Sequence, residues 1–167
     1  RRMGSDDLNV EVKESATTLS RDVWETVSAF ANTAGGIIVL GVSERAGFVP
    51  VENFETEKVL NQFVAGMGDA GGRGKLANPP KYTIERVELQ GTVVLVITIE
   101  ELDPSSKPCY VIERGAQGGS YKRIDDKDVP LSSTEVLALA SYGRTTPSDR
   151  DAVLGAVAGD LDETLVD

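Results

Sequence analysis

The hydrophobic pattern is clearest between residues 20 and 43, where a helical repeat is followed by a continuous apolar run. Four apolar residues recur there at helical spacing: Val23, Val27, Phe30 and Ala31. This spacing predicts a helix over residues 20–34, with Ser20 placed to cap its start and Gly35 to end it in a left-handed conformation. The β-branched run over residues 37–42 predicts a central strand covered on both faces.

The remaining pattern predicts short strands and helices that alternate along the chain. Strands are predicted over residues 8–13, 36–43, 82–89, 92–101, 110–113 and 120–124. Helices are predicted over residues 20–34, 56–66, 132–142 and 148–165. Gln90 and Gly91 separate two strand patterns and predict a tight hairpin. The expected fold class is therefore α/β (α+β), with a mixed central sheet and helices packed on it.

The composition excludes several classes of protein. The chain has 167 residues, of which 40% are hydrophobic and 26% charged, so one domain with a proper core is expected. It contains no histidine and a single cysteine, Cys109, which excludes a Cys/His zinc site, a histidine-based triad and an internal disulfide. Its longest apolar run is too short to cross a bilayer, and its first residues lack the apolar core of a signal peptide. We therefore expect a cytoplasmic protein that does not contact a membrane.

The charge distribution bears on nucleic-acid binding. The net charge of −10 by itself disfavours contact with phosphates. Residues 125–167 hold 10 acidic and 3 basic residues, a net of −7, so residues 1–124, with 17 acidic and 14 basic residues, have a net of −3. A nearly balanced body can present a local basic stripe. The acidic pI of about 4.5 favours an alternative, an oligomerisation or ligand-sensing module.

Several segments carry a recognisable family pattern. Glu11 and Lys13 form a Glu-x-Lys motif in the first strand, residues 29–36 read AFANTAGG, and residues 41–44 read GVSE. Further along, residues 118–139 read GGSYKRIDDKDVPLSSTEVLAL. Together these segments resemble the Schlafen AlbA-like domain family, which occurs in eukaryotic Schlafen proteins and in bacterial proteins classed as transcriptional regulators.

The resemblance spans residues 5–142 and implies one Schlafen AlbA-like domain there. Residues 143–167 are then a C-terminal acidic helix or a linker to a further domain; the apolar stripe of residues 148–167 equally suits an oligomer contact or a last core helix. The family implies nucleic-acid binding, to DNA rather than RNA, within a transcriptional regulator. Larger Schlafen proteins clamp their substrate with a paired arrangement that a single domain lacks, so a homodimer is expected.

An acidic trio is the basis of an enzymatic alternative. In Schlafen relatives that cut RNA, acidic residues occupy the positions that match Asp6, Glu11 and Glu44 of this chain. Such a trio could hold Mg²⁺ or Mn²⁺ as a cofactor and activate water for phosphodiester cleavage, because hard cations prefer oxygen ligands. Alternation along the first strand predicts that Val10 and Val12 face the core and Glu11 the other side. The main expectation is a binding domain, with a metal-dependent endonuclease as the alternative.

A polar and basic set is the candidate nucleic-acid contact: Lys13, Asn32, Thr33, Tyr121, Lys122 and Arg123. Its cations can meet phosphates, and Tyr121 can stack on a base. A structural role is open for Asn32 and Thr33, which lie where a helix unwinds, and for the Tyr121–Arg123 segment as a charged edge strand. The glycine-rich stretch 66–80 is predicted to be an exposed loop, because its GGRGK lacks the spacing of a phosphate loop.

Overall fold

The structure is a computed structural model that describes residues 9–144. Its strands, in chain order, are β1 (Val10–Lys13), β2 (Gly36–Leu40), β3 (Val42–Ser43), β4 (Val49–Pro50), β5 (Leu76–Ala77), β6 (Tyr82–Leu89), β7 (Thr92–Ile99), β8 (Tyr110–Val111), β9 (Tyr121–Ile124) and β10 (Lys127–Pro130). The helices are α1 (Val23–Asn32), α2 (Thr56–Gly66), the short α3 (Ala116–Gly119) and α4 (Ser133–Arg144), with 3₁₀ turns at Pro104–Ser106 and Ile112–Arg114. The predicted helix over residues 148–165 lies outside the described residues.

Four of these strands form one mixed sheet in the order β1-β2-β7-β6. Strand β1 runs parallel to β2, whereas β7 is antiparallel to both β2 and β6. The hairpin predicted at Gln90 and Gly91 joins β6 to β7. The pairs β3–β4, β5–β8 and β9–β10 are antiparallel and separate from this sheet. The predicted α+β class is therefore confirmed. Within residues 9–144, no helix is long and apolar enough to span a bilayer.

The core lies between one face of the sheet and helices α1 and α2. The largest side chains that meet there are fully buried: Val23, Val27, Phe30, Ile38, Leu40, Phe63, Leu95 and Ile97. The opposite face is less protected, since Ile37, Val39 and Val96 are half-buried and Val10 is 47% exposed. The prediction that the central strand is covered on both faces is therefore wrong for residues 9–144. An apolar run shows only that both faces of a strand tolerate burial. In this domain the described helices cover one face of the sheet.

Helix α1 ends as predicted but starts differently. Gly35, with a φ of +73°, donates its N–H to the Phe30 carbonyl at 2.7 Å, which closes the helix in the left-handed conformation. At the start, the Val23 N–H donates to the carbonyl of Ser20 at 3.2 Å. The Ser20 hydroxyl donates to Asp22 Oδ1 at 2.5 Å instead of accepting from the helix, so its predicted capping role is wrong.

Candidate nucleic-acid interface

The first strand turns its charged side chains towards the interior of the domain. Lys13 is 9% exposed, whereas Val10 is 47% exposed. In the parallel pairing with β2, Glu11 and Lys13 are in register with the buried Ile38 and Leu40, so they share the face that α1 covers. The predicted orientation of this strand, with its valines inward, is therefore wrong. The inward charges are tolerated because other parts of the chain supply ionic partners for them.

Arg123 is the centre of these interior contacts. Its guanidinium donates to Asn9 Oδ1 at 2.7 Å, to Asp128 Oδ1 at 2.6 Å and to Glu11 Oε1 at 2.7 Å. The guanidinium carbon also lies 5.0 Å from the centre of the Phe30 ring. Burial alone would lower the pKa of Arg123, but the two carboxylates raise it, so the side chain keeps its charge while only 2% exposed. A phosphate contact by Arg123 requires this arrangement to open.

Lys13 extends the same set of contacts towards the start of α1. Its Nζ lies 3.1 Å from Asp22 Oδ1 and 3.6 Å from Glu11 Oε2. Burial alone would raise the pKa of Asp22, but the hydrogen bond from the Ser20 hydroxyl and the charge of Lys13 hold it below its usual value. We call the connected charges the interior ion network: Glu11, Lys13, Asp22, Arg123 and Asp128. Lys13 is therefore already neutralised within the domain.

Asn32 and Thr33 join the end of α1 to two neighbouring strands. The Asn32 amide donates to the carbonyls of Cys109 at 3.0 Å and Tyr121 at 2.9 Å, and its oxygen accepts the Cys109 N–H at 2.7 Å. The Thr33 hydroxyl accepts the N–H of Arg123 at 2.9 Å. These bonds satisfy main-chain groups of β9 and of the residue before β8. The structural role that the sequence left open is present for both side chains.

Ser28 completes this junction and was missed by the sequence interpretation. Its hydroxyl donates to the Cys109 carbonyl at 2.7 Å and accepts the Tyr121 N–H at 3.0 Å. The only sequence signal was a small polar residue on the apolar side of α1, where Ser28 is fully buried. Burial raises the pKa of the Cys109 thiol to about 12, so this cysteine is uncharged and takes part through its main chain.

Tyr121 and Lys122 also have partners within the domain. The Tyr121 hydroxyl is hydrogen-bonded to the Arg114 guanidinium, which in turn lies 3.0 Å from a carboxylate oxygen of Glu25. Lys122 Nζ donates to Glu135 Oε2 at 2.7 Å, and its side chain is 33% exposed. Together with the contacts above, the six predicted residues form one connected set. Lys122 is its most accessible cation.

The acidic trio is only partly described. Glu11 belongs to the interior ion network, Glu44 is exposed in the turn between β3 and β4, and Asp6 lies outside the described residues. Within residues 9–144, no three acidic or cysteine side chains come together in a way that could hold a metal ion. The carboxylate of Glu11 is already engaged by two cations. The described members of the trio therefore do not form a metal site by themselves.

Unpaired cations concentrate at a different place. Among residues 9–142, whose side chains the structure describes, five lysines and arginines form no ion pair: Arg21, Lys58, Arg73, Lys75 and Lys81. Three of them lie on residues 67–81, which we call the glycine-rich loop. Its one acid, Asp69, accepts the Tyr82 hydroxyl at 2.7 Å, and burial together with Asp69 raises the pKa of Tyr82 to about 12. The sequence predicts only that this stretch is exposed and lacks the spacing of a phosphate loop; that its cations have no ionic partner depends on the packing of the chain.

Two open depressions flank the glycine-rich loop. The first, of about 580 Å³, lies between the start of α1, the end of α2 and residues 111–114; we call it the Trp24 cleft. Arg21, Lys75 and Arg114 line it together with three carboxylates. The second, of about 670 Å³, is lined by Lys81, Tyr82 and the two prolines before them. The loop cations therefore border concave surfaces on both sides.

Comparison with known proteins gives a family and a fold. A family model described as Schlafen, AlbA_2 matches residues 6–132. The N-terminal domain of a Nitrosomonas europaea protein described as related to the ATP-dependent DNA helicase RecG is 27% identical, with a TM-score of 0.53, over 75% of this chain and 84% of that domain. The DIP2311 protein of Corynebacterium diphtheriae shares the fold at 13% identity and a TM-score of 0.50; 83% of this chain matches 24% of its length. No curated protein matches the chain.

Proposed function

The chain belongs to the Schlafen AlbA_2 family, and we propose that it is a nucleic-acid-binding domain of a bacterial transcriptional regulator, with DNA as its partner. The family supports nucleic-acid association. The solved relative at 27% identity belongs to a protein described as related to a DNA helicase, which favours DNA over RNA.

The observation that carries this proposal is the group of unpaired cations on and beside the glycine-rich loop. Arg73, Lys75 and Lys81 stand on the loop and Arg21 faces it across the Trp24 cleft. A cation without an internal partner can bind a phosphate and release counterions without first breaking an ion pair. Lys122 would have to break such a pair. The loop therefore offers this acidic chain its least costly phosphate contacts.

The glycine-rich loop is anchored at Lys75. The Lys75 N–H donates to the Gly66 carbonyl at 2.6 Å, and the Lys75 carbonyl accepts the Ile112 N–H at 3.0 Å. Lys75 is thus held between the end of α2 and the start of a 3₁₀ turn, while Arg73 is fully on the surface. Contacts of this kind reach the backbone of a nucleic acid and carry no sequence information.

Replacing both Arg73 and Lys81 with alanine is expected to weaken DNA binding and to reduce the dependence of log K on log salt by roughly two units, because each lost phosphate contact removes about 0.9. Fluorescence anisotropy of a labelled duplex at several salt concentrations measures both quantities. Lys58→Ala with Lys127→Ala is the control matched in charge and exposure; Lys58 is unpaired, and Lys127 lies 3.6 Å from the exposed Asp126. That control should keep the wild-type slope.

The same titration tests the predicted strand contact and the choice of partner. If Lys122→Ala lowers the slope and the loop variant does not, the contact lies at β9 and not at the loop. Single-stranded DNA and RNA of the same length decide whether DNA is the preferred partner. A wild-type chain that binds none of the three at low salt would refute the proposed function.

We also propose that the domain acts as a homodimer. Helix α4 supports this, because two large apolar side chains on it are exposed, Leu137 at 59% and Tyr142 at 47%. Burial of such side chains favours contact between proteins. Sedimentation velocity should show a dimer for the wild-type chain and a monomer for Leu137→Glu; a wild-type monomer at high concentration would contradict the proposal.

A further inference from the structure

The Trp24 cleft combines a buried apolar wall with an exposed charged rim. Leu19, Trp24 and Val111 line it and are less than 10% exposed, whereas Arg21 and Lys75 are exposed. The indole of Trp24 stacks on Phe63, with ring centres 5.4 Å apart and an interplanar angle of 20°. The indole is therefore held in place in the inner wall of the cleft, with 9% of its surface exposed.

The end of α2 fixes the position of this indole. A Cβ atom placed on Gly66 would lie only 2.1 Å from the Trp24 ring, so the ring packs directly against the helix backbone. The lack of a side chain at Gly66 thus makes room for the tryptophan. A preformed site of this kind does not need to be ordered when a ligand binds.

The charges on the rim are not equivalent. Glu25 is paired with Arg114 at 3.0 Å, and Asp22 lies 3.1 Å from Lys13, which also contacts Glu11. Among the described residues, the groups of the rim without an ion pair are two cations, Arg21 and Lys75, and one carboxylate, Glu113. The three cations and three carboxylates that line the cleft balance one another in charge, and its two unpaired cations, Arg21 and Lys75, are the groups that can bind an anion.

We propose that the Trp24 cleft binds a nucleoside monophosphate, either free or as one unit of a nucleic-acid strand. The phosphate contacts Arg21 and Lys75, and the planar base packs against the apolar wall that Leu19, Trp24 and Val111 form. Glu113 accepts a hydrogen bond from a base amino group or a ribose hydroxyl. The volume of about 580 Å³ lies within the range of small-ligand sites. The inference rests on the proposed function and names the nucleic-acid unit that the domain takes.

One phosphate suits this rim better than a chain of phosphates. The cleft offers two unpaired cations, and the adjacent loop lacks the Gly-x₄-Gly-Lys-Ser/Thr sequence whose backbone N–H groups surround a polyphosphate. The ligand is therefore the repeating unit of a nucleic acid or a free mononucleotide. These two sources share the same chemistry and are separated by experiment.

The chain contains a single tryptophan, so the emission of the full chain reports directly on this cleft. Titration with AMP should change the Trp24 emission saturably, and adenosine or inorganic phosphate alone should bind at least about tenfold more weakly, since each supplies half of the contacts. Arg21→Ala with Lys75→Ala should weaken AMP binding by about tenfold or more with an unchanged unfolding curve. Lys58→Ala, an unpaired cation outside the cleft, should bind AMP as the wild type does.

The outcomes separate this inference from the proposed function. If oligonucleotides bind through the glycine-rich loop but neither AMP nor a short oligothymidylate changes the Trp24 emission, the inference is wrong and the proposed function stands. If AMP binds through Arg21 and Lys75 and no oligonucleotide binds, the cleft is a mononucleotide site and the proposed function fails. If an oligonucleotide changes the Trp24 emission and AMP displaces the oligonucleotide, the cleft binds one nucleotide of a nucleic-acid strand. Absence of any saturable change or heat of binding with AMP at millimolar concentration overturns the free-mononucleotide form.

Discussion

Replacement of Arg123 with alanine is expected to lower the free energy of unfolding by roughly 3–5 kcal/mol, the usual cost of removing one partner from a buried ion pair. The side chain is 2% exposed and donates to Asn9, Glu11 and Asp128. Its loss leaves Asp128 without a cation and Glu11 with only the 3.6 Å contact to Lys13, and it removes the group that lies over the Phe30 ring. Urea unfolding followed by circular dichroism measures the change.

Two further variants make this result decisive. Lys127 lies on the same β-hairpin, and its side chain is 78% exposed. Lys127→Ala should therefore change the free energy of unfolding by less than about 0.5 kcal/mol. Arg123→Lys keeps the charge but cannot bond three partners from one planar group, so it should fall between wild type and alanine. If Arg123→Ala unfolds like the wild type and loses only nucleic-acid affinity, the guanidinium is a phosphate contact and its interior role is wrong.

Gly36→Val is expected to destabilise the domain by on the order of 3 kcal/mol, or to prevent folding, through overpacking. A Cβ atom at Gly36 would lie 2.7 Å from the ring of Phe30. That ring cannot move away, because it is fully buried and the Arg123 guanidinium lies on it at 5.0 Å. The positive φ at this turn belongs to Gly35, so Gly36 is required for space and not for its backbone conformation.

Comparing the melting temperatures of the Gly36→Val and Gly72→Val variants measures this loss of stability. Gly72 lies on the glycine-rich loop with open space around the position of a Cβ atom and no positive φ, so its valine variant should melt close to the wild type. Equal melting temperatures for both variants would show that the Phe30 ring yields, and that the contact between β2 and α1 is looser than the structure indicates.

The periodic parts of the sequence were sufficient to predict most elements of the fold. Helix α2 and strand β6 begin and end at the predicted residues, α2 because of its helical apolar repeat and β6 because the turn at Gln90 and Gly91 marks its end. The faces of β1 could not be predicted in the same way. Glu11 and Lys13 alternate with two valines, and the pattern fits either orientation. Their burial depends on Arg123, which is 112 residues away from Glu11 along the chain.

The candidate site, like the fold, could be predicted from the sequence only in part. The sequence identified residues that the structure joins into one set, but residue type alone does not tell which cations are used internally. Lys122 forms an ion pair with Glu135. Arg123 forms ion pairs with Glu11 and Asp128. The loop cations Arg73 and Lys81 form none within residues 9–144, and this difference arises from long-range packing.

Helix α1 takes the place of a missing strand beside β9. The Tyr121 N–H and carbonyl are bonded to the side chains of Ser28 and Asn32, and the Arg123 N–H to that of Thr33. Strand β10 occupies the other edge of β9. An edge whose main-chain groups are already satisfied cannot recruit a strand from another molecule, which is how many sheet proteins aggregate. The short polar residues in and just after α1 therefore protect this edge of β9 from such pairing, and amide hydrogens of β9 should exchange slowly although the strand lies outside the main sheet.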